Sequence, residues 1–192
     1  MVGKIILASS SPRRADILRK AKIEVRIMPS PYEEDHTTTA FSYDFIENLA
    51  YNKAKAVVPL VKEPSLIIGA DTVVVLDGEI LGKPHNSENA FKMLKSLSGK
   101  THSVVTSIAV INSETQEYKI NSTTSYVTFE NLSDEKINYY IENFKPFDKA
   151  GSYGIQEMPD GYIKSYTGDL ENIIGISSAS LKEILEKFDV CE

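Results

Sequence analysis

The sequence predicts an α/β fold, a mixed twisted sheet with flanking helices, and three observations predict it. Short isoleucine- and valine-rich runs alternate with segments whose apolar residues recur at helical spacing. Near the N-terminus a strand-like run passes through three serines directly into a proline-led helix, the order found in α/β units. Finally, "THSVVTSIAVI" and "EYKINSTTSYVTF" are separated only by "NSETQ", which reads as a long antiparallel hairpin and excludes a purely parallel sheet.

Each element has a local reason. "KIILA" is short and rich in isoleucine, as a buried strand is, and Ser11 followed by Pro12 marks a helix start. "EVRIM" alternates like a second strand, and "PSPYEEDHTTTA" is a polar, acidic loop. Ser42 is placed to cap a helix through "YDFIENLAYNKAKAVV", with Phe45, Leu49, Ala50, Ala54 and Val57 on its apolar face. In "SLIIGADTVVVLDGEILGKP" the reading gives two strand-like runs, Leu66 to Ile68 and Val73 to Leu76, the second ending in the Asp77-Gly78 turn. A helix from Ser87 to Leu97 stops at Gly99, and another starts near Ser133 with Ile137, Tyr140 and Ile141 on one side. "FKPFDKAGSYGIQ" is a loop and "GYIKSY" a strand, and the last helix opens on the pair Ser180 and Glu183. No repeat or linker interrupts the chain, so one domain spanning residues 1–192, with room for two packed lobes, is expected.

Composition narrows the function. A chain of 192 residues with 42% hydrophobic content buries a core without disulfides. The single cysteine, Cys191, has no partner and sits at the terminus, which argues against a catalytic thiol. A net charge of -6 argues against a grip on a nucleic-acid polymer. The N-terminal apolar run is too short for a signal peptide or a membrane span, so the expectation is a cytoplasmic protein without a membrane partner.

The candidate chemistry begins with an electrostatic oddity. Arg13 and Arg14 occupy the first turn of a helix, where the backbone is already partially positive. The serines Ser9, Ser10 and Ser11 and the free N–H groups of that turn converge as donors, and a guanidinium beside them suits phosphate oxygens. Pairing of both arginines with surface acids such as Asp16 is the plain alternative. Neighbouring helical residues point about 100° apart, so the two arginines are expected to diverge. Lys53 and Lys83 are further candidates for phosphate contacts. Asp71, in "GADT" after an apolar run, reads as a carboxylate at a strand end that binds a divalent metal or takes a proton from water. Glu33, Glu34 and Asp35 offer additional oxygens for magnesium or manganese. His36, His85 and His102 are isolated, with neither zinc spacing nor a nucleophile signature, and the P-loop and dinucleotide patterns are missing. The residues alone point to a metal-assisted site for a phosphorylated ligand.

Five ordered blocks then resemble the Maf family of nucleoside triphosphate pyrophosphatases: "LASSSPRRADIL", "NKAKAV", "GADTVVVLDGEILGKP", "LSGKTHSVVT" and "DKAGSYGIQ". The resemblance implies a fold like that of inosine triphosphate pyrophosphatases, with a cleft between two lobes and often a homodimer. It implies hydrolysis of a nucleoside triphosphate between the α and β phosphates with a divalent cation, magnesium or manganese. The "GIQ" ending is similar to the branch acting on dTTP and UTP. By motif, Asp71 corresponds to the catalytic acid, Arg13, Thr72 and Gln156 to specificity residues, Lys53 and Lys83 to phosphate-facing lysines, and Glu33 to an acid near the metal. Ser9 belongs with the substrate-binding set, and Arg14 is assigned to local structure. The Gln156 amide has both a donor and an acceptor, matching the N3–H and carbonyl edge of uracil or thymine. An altered-purine pyrophosphatase and a nucleotide-sensing regulator without turnover are the alternatives. After Gln156 the chain departs from the family pattern: Gly168, Asn172 and Gly175 keep the frame, but Asp169 and Glu171 are inserted and no proline follows "GI".

Overall fold

The computed structural model describes residues 4–34 and 38–188. Asp35, His36 and Cys191 lie outside the described residues. The strands are β1 (Ile5–Leu7), β2 (Arg26–Ile27), β3 (Leu66–Leu76), β4 (Glu79–Leu81), β5 (Thr101–Asn112), β6 (Tyr118–Phe129) and β7 (Ile163–Thr167). The helices are α1 (Pro12–Lys20), α2 (Tyr43–Lys55), α3 (Ser87–Leu97), α4 (Asp134–Phe144), α5 (Leu170–Ile174) and α6 (Ser178–Glu186).

All seven strands form one sheet in the order β2-β1-β3-β5-β6-β7, with β4 also paired to β3. β1 runs parallel to both β2 and β3, whereas β3, β5, β6 and β7 are successively antiparallel, so the sheet is mixed as expected. The hairpin of β5 and β6 carries the longest pairing, from Thr101↔Thr128 to Ile111↔Tyr118. Among the described residues no helix is long and apolar enough to cross a membrane.

One expectation is corrected at the centre of the sheet. Leu66 to Leu76 is one continuous strand of 11 residues, not two runs broken at Gly69-Ala70-Asp71-Thr72. Both β1 and β4 pair with β3, and they use separate stretches of it. β1 covers Leu66 to Ile68, β4 covers Val74 to Leu76, and between them Gly69 to Val73 pair only with β5. Asp71 is therefore mid-strand, at a gap where, among the described residues, no second partner strand pairs with it, rather than at a strand end.

Alternation along β3 assigns the faces. On one face lie Ile67, Gly69, Asp71, Val73 and Val75, packed under α2, whose Ile46 is fully buried with Val73, Val75 and Val105. Ser42 caps α2 by accepting from the Phe45 N–H at 3.2 Å, as its position predicts. The approach is close: a Cβ at Gly69 would stand 2.1 Å from the Ala50 carbonyl oxygen and 2.7 Å from the Ala54 nitrogen. No residue but glycine permits this contact without moving the helix.

The opposite face carries two apolar clusters. One joins Leu7, Ile68 and Ala70 to α1 and α6, and the other joins Val74, Val104 and Phe129 to α3 and α4. The part of the site on this face lies between them. A second correction concerns the chain that bridges this space. The last helix, expected to open at Ser180, has Ser177 as its N-cap, accepting from the Ser180 N–H at 3.1 Å, and the short helix α5 precedes it. Asp169 caps α5 by accepting from the Glu171 N–H at 2.8 Å, and Gly175 closes it with φ near +147°. Glu171 in turn accepts from the Ser178 N–H at 2.9 Å. The inserted acids thus build two helix starts.

Candidate active site

The cleft encloses about 830 Å³, within the range of small-ligand pockets. Ser9, Arg13, Lys53, Asp71, Thr72, Lys83 and Gln156 all line it, although they come from six separate segments of the chain. Glu33 does not line it and is exposed; its neighbour Glu34 takes that place.

On the α2 side Asp71 is 6% exposed and, among the described residues, is the one buried carboxylate. The Lys53 ammonium, from the same helix turn that meets Gly69, makes an ion pair with Asp71 Oδ1 and a second with Glu34 Oε1 at 2.9 Å. Two carboxylates therefore converge on one cation.

On the other face the two arginines diverge. Arg13 Nη1 reaches Asp148 Oδ2 at 3.1 Å across the cleft mouth. Arg14 turns inward: Nε donates to the Gly175 carbonyl at 2.9 Å, Nη1 to Ser9 Oγ at 3.3 Å and Nη2 to Thr72 Oγ1 at 3.1 Å. Asp16, the surface acid considered as their partner, instead pairs with Arg19 at 2.8 Å. Burial draws the Arg14 guanidinium below its ordinary value, while Asp71 and Glu34 pull it back up. It stays a cation, since arginine starts far above neutrality. Ser9 Oγ also accepts from the Ser11 N–H at 3.2 Å, and Ser11 itself makes no side-chain cap, so the α1 N-terminus keeps donors open to the cleft.

The third wall is the segment after α4. Lys149, only 8% exposed, pairs with Asp148 at 2.9 Å and Glu157 at 3.1 Å. Partial burial pushes the Asp148 carboxyl up, but hydrogen bonds from Lys149 and Arg13 outweigh it and hold the group below its ordinary value. Two tyrosines anchor the segment that carries Gln156. Tyr140 OH accepts from the Gly154 N–H at 3.2 Å, and burial pushes its hydroxyl up to about 12. Tyr153 OH meets His102 Nε2 at 2.6 Å inside the core, where burial raises the phenol and lowers the imidazole to about 4. Lys83 and Gln156 are exposed on the rim.

A Maf-like protein family model matches residues 4–188. The chain belongs to the Maf family. It is 43% identical over 186 residues to a dTTP/UTP pyrophosphatase of Ruminiclostridium cellulolyticum, covering 96% of both chains. It is 42% identical to a dTTP/UTP pyrophosphatase of Thermosipho africanus, covering 95% of this chain and 92% of that protein. In fold it is similar to the Staphylococcus aureus Ham1 protein, with TM-score 0.51, 16% identity and coverage of 97% and 100% of the two chains.

This Maf-family cleft contains residues that sequence reasoning passed over. Lys149 and Asp148 stood inside a quoted block, "DKAGSYGIQ", but nothing in a loop sequence marks a lysine as buried. Thr106 closes another block, "LSGKTHSVVT", and pairs with Thr72 from the adjacent strand β5, but nothing in its sequence marks it as the partner of the Thr72 hydroxyl. The Gly175 carbonyl is backbone, and no residue type signals it.

Proposed function

We propose that the chain hydrolyses dTTP and UTP to the nucleoside monophosphate and pyrophosphate, with magnesium or manganese as cofactor. The observation that carries this reading is one buried carboxylate, Asp71, set among cations from four elements or loops: Arg13 and Arg14, Lys53, Lys83 and Lys149. A triphosphate carries about four negative charges near neutral pH, and such a ring of cations holds it. The names of the curated relatives support the choice of substrate class.

Asp71 and Glu34 fit a divalent cation, because both reach one ammonium and their oxygens therefore share a common point. Magnesium is commonly held by one or two carboxylates with substrate phosphates and waters completing the shell. When bound, the cation supplies charge neutralisation and Lewis acidity at the phosphates. Glu34 takes the role that the motif resemblance gave to Glu33, since Glu34 is the neighbour that Lys53 engages. The protein's own groups do the rest. Arg14, the Ser9 hydroxyl and the α1 N-terminus orient phosphate oxygens, and Lys53 moves from carboxylate to phosphate as the ligand enters. A water oxygen bonds to the α-phosphorus, the bridging bond between the α and β phosphates breaks, pyrophosphate leaves, and Asp71 accepts the water's proton. Gln156 on the rim meets the base edge.

Incubation with magnesium or manganese and a panel of canonical and modified triphosphates tests this reading. The expected products from UTP and dTTP are monophosphate and pyrophosphate, with label from heavy-oxygen water appearing in the monophosphate. Release of single orthophosphate, or no product from any nucleotide, overturns it.

A further inference from the structure

Gly154, two residues before Gln156, is gripped from three sides. Its N–H donates to the Tyr140 hydroxyl at 3.2 Å, its carbonyl accepts from the Glu157 N–H at 2.9 Å, and a Cβ placed on it would stand 3.0 Å from Lys149 Cε. The next residue, Ile155, packs against the apolar cluster that contains Tyr140. At the far end of the turn Glu157 pairs with the buried Lys149 at 3.1 Å. Gln156 is thus the exposed middle of a short turn, Ile155–Glu157, that is held at both ends.

Of these contacts, the hydrogen bond from Tyr140 reaches in from a different element. Tyr140 stands on α4, is fully buried, and stacks its ring on Phe144 with centroids 5.0 Å apart. Phenylalanine would fill that core position with the same ring, and a hydroxyl is costly to bury without a partner. The Tyr140 hydroxyl finds its partner beyond the cluster, in a backbone N–H of the cleft wall, where Arg13, Asp148 and Glu157 stand close enough to act on it electrostatically. The Lys149 and Glu157 contacts are made within the segment itself. Tyr140 supplies the hydrogen bond that ties the start of the turn to a long helix.

Edge recognition of a base is sensitive to such a tie. Hydrogen bonds weaken steeply when donor and acceptor move out of line, and a glutamine side chain has several rotatable bonds of its own. Its backbone must therefore be fixed if the amide is to meet N3–H and a carbonyl together. We propose that Tyr140 is a positioning residue that, through Gly154, places the Gln156 amide against the N3–H edge of uracil or thymine. The inference rests on the pyrophosphatase reading and deepens it by naming a residue outside the cleft on which base recognition depends.

The test compares kcat/KM for UTP and N3-methyl-UTP in the wild type, Tyr140→Phe, Gln156→Ala and the double variant. The wild type should favour UTP roughly tenfold or more, the worth of a hydrogen bond at that edge. Gln156→Ala should abolish the ratio, and Tyr140→Phe should lower it severalfold through KM for UTP. In the double variant the ratio should match that of Gln156→Ala, because Tyr140 acts through Gln156. Inhibition by tripolyphosphate, which has no base, should be the same in Tyr140→Phe and the wild type. A hydroxyl that served stability alone would leave the ratio unmoved in folded Tyr140→Phe, and that result overturns the proposal. So does equal use of both nucleotides by the wild type, or an effect of Tyr140→Phe on the ratio that persists without Gln156. Should Tyr140→Phe fail to fold, Gly154→Ala carries the comparison: φ near −122° admits alanine, but the new Cβ crowds the Lys149 stem. An unchanged ratio there overturns the proposal equally. Calorimetric binding of α,β-methylene-UTP and its N3-methyl form reads the same preference without turnover. Absent pyrophosphate release with that binding preference intact would sink the enzymatic reading alone.

Discussion

Asp71 and Thr72 are neighbours on one strand, yet they belong to two different kinds of site. Asp71 faces α2 and is held by ion pairs, with Lys53 shared between it and Glu34. Thr72 faces α1 and α5 and is held by hydrogen bonds whose directions are set by backbone carbonyls. A charge pair is exchangeable, because a phosphate or a metal ion competes for the same partners. A chain of hydroxyls ending on buried carbonyls is not. The contrast sets the proposed general base on one face of β3 and a proposed specificity residue on the other, and it is open to experiment.

The largest effect is expected on the Asp71 side. Asp71→Asn should lower turnover by about a thousandfold or more, the range of a lost general base, while leaving the fold intact. A melting temperature and circular dichroism spectrum close to wild type, beside lost pyrophosphate release, is the expected pairing; retained turnover removes Asp71 from the chemistry.

Gly69→Ala attacks the same side through the backbone. A new Cβ against the Ala50 carbonyl forces α2 away from β3, with a stability loss of about 1–3 kcal/mol typical of overpacking. Lys53 then no longer reaches Asp71, so kcat should fall while preference among nucleotides is unchanged. A shift in preference without a fall in kcat would contradict the division between faces.

His102 lies on the Thr72 side, on the same face of β5 as Thr106, and is 2% exposed. Burial lowers it from 6.5 to about 4, so the unfolded chain binds the proton first as pH falls. Its contribution to stability is complete above about pH 6.5 and is lost progressively toward pH 4, up to about 3 kcal/mol. Denaturant midpoints at pH 7.5 and 4.5 should differ less in His102→Gln than in the wild type; identical differences in the two proteins would refute it.

The smallest change is expected at the rim. Asp148→Asn removes an exposed partner of Arg13, and the stability cost should stay below about 1 kcal/mol. Because it also frees Arg13, KM for a triphosphate should fall slightly at low salt and the difference should vanish at high salt. A raised KM would show that Asp148 holds Arg13 in its working position.

Much of the fold was legible because its signals are local. Ser42, Pro12, Ser133 and the Asp77-Gly78 turn mark element ends through their own backbone preferences, and the hairpin announces itself by alternation. α5 escaped notice because five residues carry too little periodicity, and Asp169 looks like a loop acid until it caps a helix. The break read into β3 has a related cause: Gly69-Ala70-Asp71-Thr72 resembles a turn in composition, but pairing with β5 holds it extended.

By itself the sequence determined most of the element order, apart from α5 and the continuity of β3, together with the mixed sheet and the Maf motifs that point to Asp71, Arg13, Thr72, Lys53, Lys83 and Gln156. The cleft was decided only in three dimensions. Among the described residues, β1 and β4 share one edge of β3 and leave Gly69 to Val73 unpaired on that edge, an arrangement of strand pairing that no local preference encodes. Likewise Glu34 rather than Glu33 meets Lys53, and Arg14 turns inward while Arg13 turns to the rim. Partner choice depends on distance and burial among segments up to 161 positions apart, as between Arg14 and Gly175. Those quantities exist only once the chain has packed.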